Sequence, residues 1–155
     1  MGPCLQYRSA HHSAAVFASF LVLGGCLLAA STLTVKAEGA LAVGIARGGI
    51  AKGYATGFAI NQPDVKAARN NAVEQCKRTK SSNADARSAC EVVATFRNKC
   101  VASAVDPESG TPGAGWGLGS SQDAADSQAL SRCRAKAGTS RASFCEVTDH
   151  YCDGH

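Results

Sequence analysis

Residues 40–100 and 101–152 carry the same pattern of glycine, aromatic, alanine and cysteine twice. A duplicated pattern restricts the fold to two copies of one unit. Gly57-Phe58-Ala59-Ile60 aligns with Gly115-Trp116-Gly117-Leu118, Ala67-Ala68 with Ala124-Ala125, Ala72-Val73 with Ala129-Leu130, and Cys76 with Cys133. Cys90-Glu91-Val92 then aligns with Cys145-Glu146-Val147.

Each copy reads as strand, strand, helix, strand. Ala40 to Gly44 is a short apolar run entering a glycine-rich loop, and Tyr54, Phe58 and Ile60 fall on a period of two, as a strand requires. Gln62-Pro63-Asp64 is a helix start, with proline suited to the first helical position and a carboxylate in the first turn. Ala68, Ala72, Val73 and Cys76 then mark one helical face that ends near Lys77-Arg78. Residues 79–89 read as a loop and residues 90–96 as a third strand. The second copy repeats the order from Cys100, with a turn-rich stretch at 106–113, a capping pattern at Ser120-x-x-Asp123 and a stop at Gly138. The expected fold is α+β: a tandem duplicated β-β-α-β unit, with two helices packed on a mixed or antiparallel sheet and braced by disulfides.

Residues 1–37 have a different composition. Arg8 precedes an apolar run from Ala14 to Ala30, and Val35-Lys36-Ala37 offers a cleavage site before Glu38, so this segment reads as a secretory signal peptide. Residues 38–155 then form a single domain made of the two repeats. Leu23-Gly24-Gly25-Cys26 is an alternative, a site for lipid attachment, although the apolar run continues beyond it. Membrane association is expected only if Cys26 is lipidated or the signal is uncleaved. Removing residues 1–37 takes away Arg8 and Lys36 and no acid, so the net charge falls from +4 to +2. That balance argues against a nucleic-acid partner, which needs a concentrated positive field.

Six cysteines remain: Cys76, Cys90, Cys100, Cys133, Cys145 and Cys152. An even count in a small exported domain points to disulfides and to a periplasmic or secreted location. Symmetry between the copies leaves about seven of the 15 connectivities. The favoured set is Cys76–Cys90 and Cys133–Cys145, stapling each helix end to the following strand, with Cys100–Cys152 tying the copies together. Each short loop contributes on the order of 3 kcal/mol.

Gly39-Ala-Leu-Ala-Val-Gly44, Gly53-Tyr54-Ala55, the Ala67-Ala68 helix ending at Cys76, the segments opening at Cys90 and Cys100, Gly115-Trp116 and the closing Cys152-Asp153 occur in a fairly specific order. In that order the chain resembles the exported bacterial domain of unknown function 4189. The resemblance spans essentially the whole mature chain and implies export and a duplicated, disulfide-containing fold. It implies no activity and supplies no catalytic residues. Residues 45–52 and 79–89 are long for the pattern, and Gly53-Tyr54 competes with Gly57-Phe58 as the match to Gly115-Trp116.

Several residue sets invite chemistry. His150 beside Asp149 is a candidate base for a Cys152 or Cys145 nucleophile, but an oxidised cysteine has no thiolate. His150, Cys152, Asp153 and His155 are candidate metal ligands, at a spacing too short for a structural zinc module. Gly113, Gly115, Gly117 and Gly119 precede a helix, as phosphate-cradling loops do, but lack the dinucleotide and P-loop spacings; a strand pressed closely by its neighbour explains them better. Lys77, Arg78 and Lys80 correspond to Arg132, Arg134 and Lys136, either a repeated patch for an acidic partner or cations complementing helix dipoles. Glu91 and Glu146 are the carboxylates repeated in register, and as a pair could serve glycoside hydrolysis. None of these sets is a complete catalytic, cofactor or metal constellation.

The sequence therefore reads as a non-enzymatic exported module, with the loops 45–52, 79–89 and 106–113 as contact surfaces for an unknown protein partner in the envelope or outside the cell. The alternative is a small cell-envelope hydrolase acting on polysaccharide through Glu91 and Glu146. Intact mass of the exported product checks the processing: a chain starting at Glu38 is expected, and a lipid-modified chain starting at Cys26 would refute it.

Overall fold

A computed structural model of the protein describes residues 38–154. The export signal, the Cys26 alternative and His155 lie outside the described residues. The first repeat contains β1 (Glu38–Ile45), β2 (Tyr54–Gln62), α1 (Val65–Lys77), α2 (Ala84–Ser88) and β3 (Glu91–Phe96). The second contains β4 (Cys100–Val105), β5 (Ala114–Gly119), α3 (Gln122–Ala137) and β6 (Glu146–Cys152). The duplicated β-β-α-β order stands, with the short α2 added inside the stretch read as a loop. Asn83 nucleates it by accepting a hydrogen bond from the Ala86 N–H at 2.9 Å. Two helix starts also shift. Asp64 caps α1 through the Ala67 N–H at 2.8 Å, leaving Pro63 outside the helix, and Ser121 in place of Ser120 caps α3.

The strands form two antiparallel three-stranded sheets, ordered β2-β1-β3 and β5-β4-β6, in place of one sheet. The register settles the competing alignment. Gly57 pairs with Ala42 and Gly115 with Ala104, and the two central strands carry equivalent irregularities at Leu41/Ala42 and Ser103/Ala104. Gly57, not Gly53, is therefore the counterpart of Gly115.

The split into two sheets follows from how side-chain size alternates along the strands. On one face, Ala40, Ala42, Ala55 and Ala59 meet Ala68, Ala72 and Cys76 of α1. Ala102 and Ala104 meet Ala125, Ala129 and Cys133 of α3 in the same way. The other faces carry the large residues, with Leu41, Val43, Phe58 and Phe96 packing against Val101, Trp116 and Leu118. The layers therefore run helix, sheet, sheet, helix.

The small-residue faces bring helix and strand backbones into direct contact. A Cβ on Gly57 would collide with the Ala72 carbonyl oxygen and the Cys76 nitrogen, and one on Gly115 would lie 2.5 Å from the Ala129 oxygen and 2.6 Å from the Cys133 nitrogen. Sulfur bridges then fix each helix end. Cys76 joins Cys90 and Cys133 joins Cys145, at sequence separations of 14 and 12. Cys100 joins Cys152, but both lie in the second sheet as cross-strand neighbours of β4 and β6, so this bond closes one repeat and does not tie the copies together.

Polar pins at the chain's end help join the copies. Asp153 is fully buried, and its carboxylate accepts the Asn61 N–H at 2.7 Å and the Asn98 N–H at 3.3 Å. Those two asparagines hold left-handed backbone at φ 54° and 50°. Arg97 pairs with the buried Glu38 across the start of β1.

The close helix–strand contact predicts that Gly115→Ala lowers unfolding free energy by about 2 kcal/mol or more, through overpacking against backbone that cannot move aside. Ser109→Ala, on an exposed loop, should stay within about 0.5 kcal/mol. Denaturant titration of the two variants distinguishes them, and equal stability would refute the contact.

Candidate functional site

The two repeats leave a cleft of about 920 Å³ between them. Its walls include residues from all three loops singled out in the sequence: Ile50 to Lys52, Ser81 to Asn83, and Asp106 to Thr111. Residues of β2 and β6 line it between the loops, among them Tyr54, Phe58, Asp149 and Tyr151. Phe58 and Tyr151 pack across the sheets with ring centroids 5.2 Å apart. The Asp153 pin holds the far ends of the same two strands together.

The loops are ordered by their own hydrogen bonds. Arg47 N–H donates to Asp85 at 2.8 Å, joining the first loop to α2, and Asn83 Nδ2 donates to the Lys52 carbonyl at 2.5 Å. In the third loop, the Asp106 N–H donates to the Gly113 carbonyl at 2.8 Å. The buried Asp106 carboxylate receives Arg141 Nε at 2.7 Å and Nη2 at 2.5 Å, and Arg141 also pairs with Glu108. These hydrogen bonds from the guanidinium hold the Asp106 carboxyl below the usual carboxylate range.

Two hydroxyls lining the cleft, Tyr54 and Ser82, are buried without a protein hydrogen-bond partner among the described residues. Burial, with a smaller contribution from the Asp149 charge, pushes the Tyr54 hydroxyl well above the usual tyrosine range and keeps it a neutral donor. Nearby, Ser103 bonds to Thr148 at 2.9 Å and lies 3.4 Å from Asp149.

The other candidate sets dissolve on inspection. Cys145 and Cys152 are in disulfides and offer no thiol nucleophile. His150 faces Asp126 at 3.2 Å instead of Asp149, because neighbours along a strand point to opposite faces. Of the proposed metal ligands, Cys152 is oxidised, Asp153 is committed to backbone N–H groups, and His155 is outside the described residues. Gly113, Gly115, Gly117 and Gly119 lie against α3, which fills the space a phosphate would need. Glu91 and Glu146 are exposed at the starts of β3 and β6 and do not line the cleft.

The basic clusters divide. Lys77, Arg134 and Lys136 occupy last helical turns, where cations complement the dipole. Arg132 instead stacks 4.7 Å over Trp116 and donates to its carbonyl at 2.8 Å, whereas Arg78 lines the cleft. Arg141, Asp106 and the Tyr54–Asp149 relation carried no sequence signal, since their partners lie far apart in the chain.

The match to a family model for a domain of unknown function (DUF4189) covers residues 39–152. The chain belongs to the DUF4189 family. That span takes in both repeats, all three disulfides and nearly all of the cleft's supporting strands. No curated protein and no solved structure matches the chain. Three disulfides suit this DUF4189 member to an oxidising, non-cytoplasmic compartment, and among the described residues no helix is long and apolar enough to cross a membrane.

The Asp106–Arg141 pair gives the third loop a pH dependence. Because the folded carboxyl titrates below its unfolded value of about 4, its stabilisation is complete above about pH 4 and is lost as pH falls through the depressed value. Denaturation midpoints should show the parent losing its advantage over Asp106→Asn only below about pH 4. Parallel pH curves for the two proteins would exclude the pair as the source.

Proposed function

We propose that this protein is a periplasmic or secreted binding module that recognises a partner protein in the cleft between its repeats. The observation that carries the reading is the convergence of three chain-distant loops on one cleft, each anchored to a disulfide-braced scaffold. Such a scaffold lowers the ordering cost of binding, because loops held by Asn83, Asp85 and Arg141 lose little freedom when a partner arrives. The lining sets the aromatic surface of Phe58 and Tyr151 beside polar loop residues, a combination suited to recognition. The polysaccharide hydrolase reading receives no comparable support, because Glu91 and Glu146 stand outside the cleft.

A photo-crosslinking amino acid at Ser81 or Ser109, in the full chain exported from its own cell, tests this reading. Protein adducts are expected from both cleft positions and not from Lys136 on α3. Equal labelling at all three positions, or adducts with glycan alone, would overturn it.

A further inference from the structure

We infer that Asp149, with the aromatic pair Phe58 and Tyr151, receives one arginine side chain of the partner protein, whose guanidinium stacks on the rings and binds the carboxylate. The inference rests on the cleft-binding reading and names the group that anchors its ligand. Side chains two apart on a strand share a face. Asp149 and Tyr151 therefore lie together on the inner face of β6, as Tyr54 and Phe58 do on that of β2. These two faces oppose each other. The Phe58 and Tyr151 ring centroids are 5.2 Å apart, and the Asp149 charge acts on the Tyr54 hydroxyl. A carboxylate and two aromatic rings thus border one cleft, and Tyr151 keeps 40% of its surface exposed there.

The carboxylate lacks a cation. The charged residues lining the cleft are Lys52, Arg78, Asp106, Glu108 and Asp149. Asp106 and Glu108 are both paired with Arg141. Asp149 makes no ion pair among the described residues; its hydrogen bond comes from Ser103 Oγ at 3.4 Å, and Ser103 is shared with Thr148 at 2.9 Å. Tyr54 supplies no countercharge, because burial, and secondarily Asp149 itself, keeps its hydroxyl protonated. Lys52 and Arg78 are exposed, and neither pairs with Asp149 among the described residues. Arg78 is the C-cap residue of α1, where its charge complements the helix dipole. Both cations repel a run of basic residues, so the anchor is a single arginine flanked by neutral or acidic residues.

The chain contains the filled version of the same arrangement. Arg141 lies 4.3 Å over the Phe144 ring and donates to Asp106 through Nε at 2.7 Å and Nη2 at 2.5 Å. There a carboxylate and an aromatic ring hold one guanidinium between them. Arg132, 4.7 Å over Trp116, shows the stacking half of the contact. At Asp149 and Tyr151 the same two partners face the cleft. Arginine suits them better than lysine, because its planar fork stacks and pairs at once, whereas an ammonium is a strongly hydrated point charge.

Selection of a displayed library of random linear peptides against the exported, oxidised full chain supplies the probe. Selected peptides should share one arginine, and its replacement by citrulline, neutral and of the same shape, should weaken binding by about tenfold or more. Asp149→Asn should cost a similar factor, and the two losses should not add, since each removes the same contact. Lys52→Ala and Arg78→Ala should leave the affinity unchanged or raise it. The citrulline comparison uses the unaltered protein and so stands even if Asp149→Asn fails to fold. Failure to select any peptide, equal binding of the arginine and citrulline forms, fully additive losses, or acidic peptides that weaken in Lys52→Ala or Arg78→Ala would each overturn the inference. Protein cross-links at Ser81 and Ser109 that persist undiminished in Asp149→Asn would leave the cleft module standing and remove the arginine anchor alone.

Discussion

Direct backbone contact between helix and sheet governs this structure. At Gly57 and Gly115 the helices approach so closely that no side chain fits, and the alanines around them extend the contact along α1 and α3. Faces made of such small residues bury little apolar area per residue, so they cannot form the whole core. The remaining apolar bulk, Leu41, Phe58, Phe96, Trp116 and Leu118, is placed on the opposite strand faces and must be covered there. Packing the two sheets against each other covers it, and the four-layer order follows. Disulfides at the helix ends then hold the thin layers in place, each constraining the unfolded chain by about 3 kcal/mol.

Duplication provides the frame, and divergence at its edges provides the site. Both repeats share register, irregularity and helix seating, yet their edge strands are treated differently. Arg132 of the helix covers β5 with a hydrogen bond and a cation–π contact, while on β2 Thr79 and Gln62 meet the Thr56 and Ile60 carbonyls. The connection at 78–90, which carries α2, is longer than its counterpart at 138–145 and contributes to the cleft wall. Across from it, Asp106 and Arg141 hold the 106–113 loop in a fixed shape. A symmetric scaffold thereby acquires one asymmetric cleft.

Buried charge in this protein organises geometry. Asp153 is surrounded by backbone donors from two turns that carry left-handed asparagines, and Asp106 is met by a two-point guanidinium contact. Each carboxylate joins segments that apolar packing alone would leave free to slide. Glu91 and Glu146, the acids that repeat in register, are exposed at strand starts and face no common space.

The amino-acid sequence by itself determined the repeat, the strand and helix order, the helix faces at Ala68, Ala72 and Cys76, and the favoured short disulfides. All of these depend on residues within a few turns of one another or on comparison of the two copies. It also marked the three loops, through their polar and turn-rich composition. Only the tertiary structure decided that the strands divide into two sheets, that Cys100–Cys152 closes the second sheet, and that the loops meet at one cleft. The pairs Asn61–Asp153 and Asp106–Arg141 are separated by 92 and 35 residues, and no periodicity links such positions. Sheet partition depends on which apolar faces find each other in space. Edge capping depends on which side chain reaches the strand in space, Arg132 on β5 and Thr79 on β2.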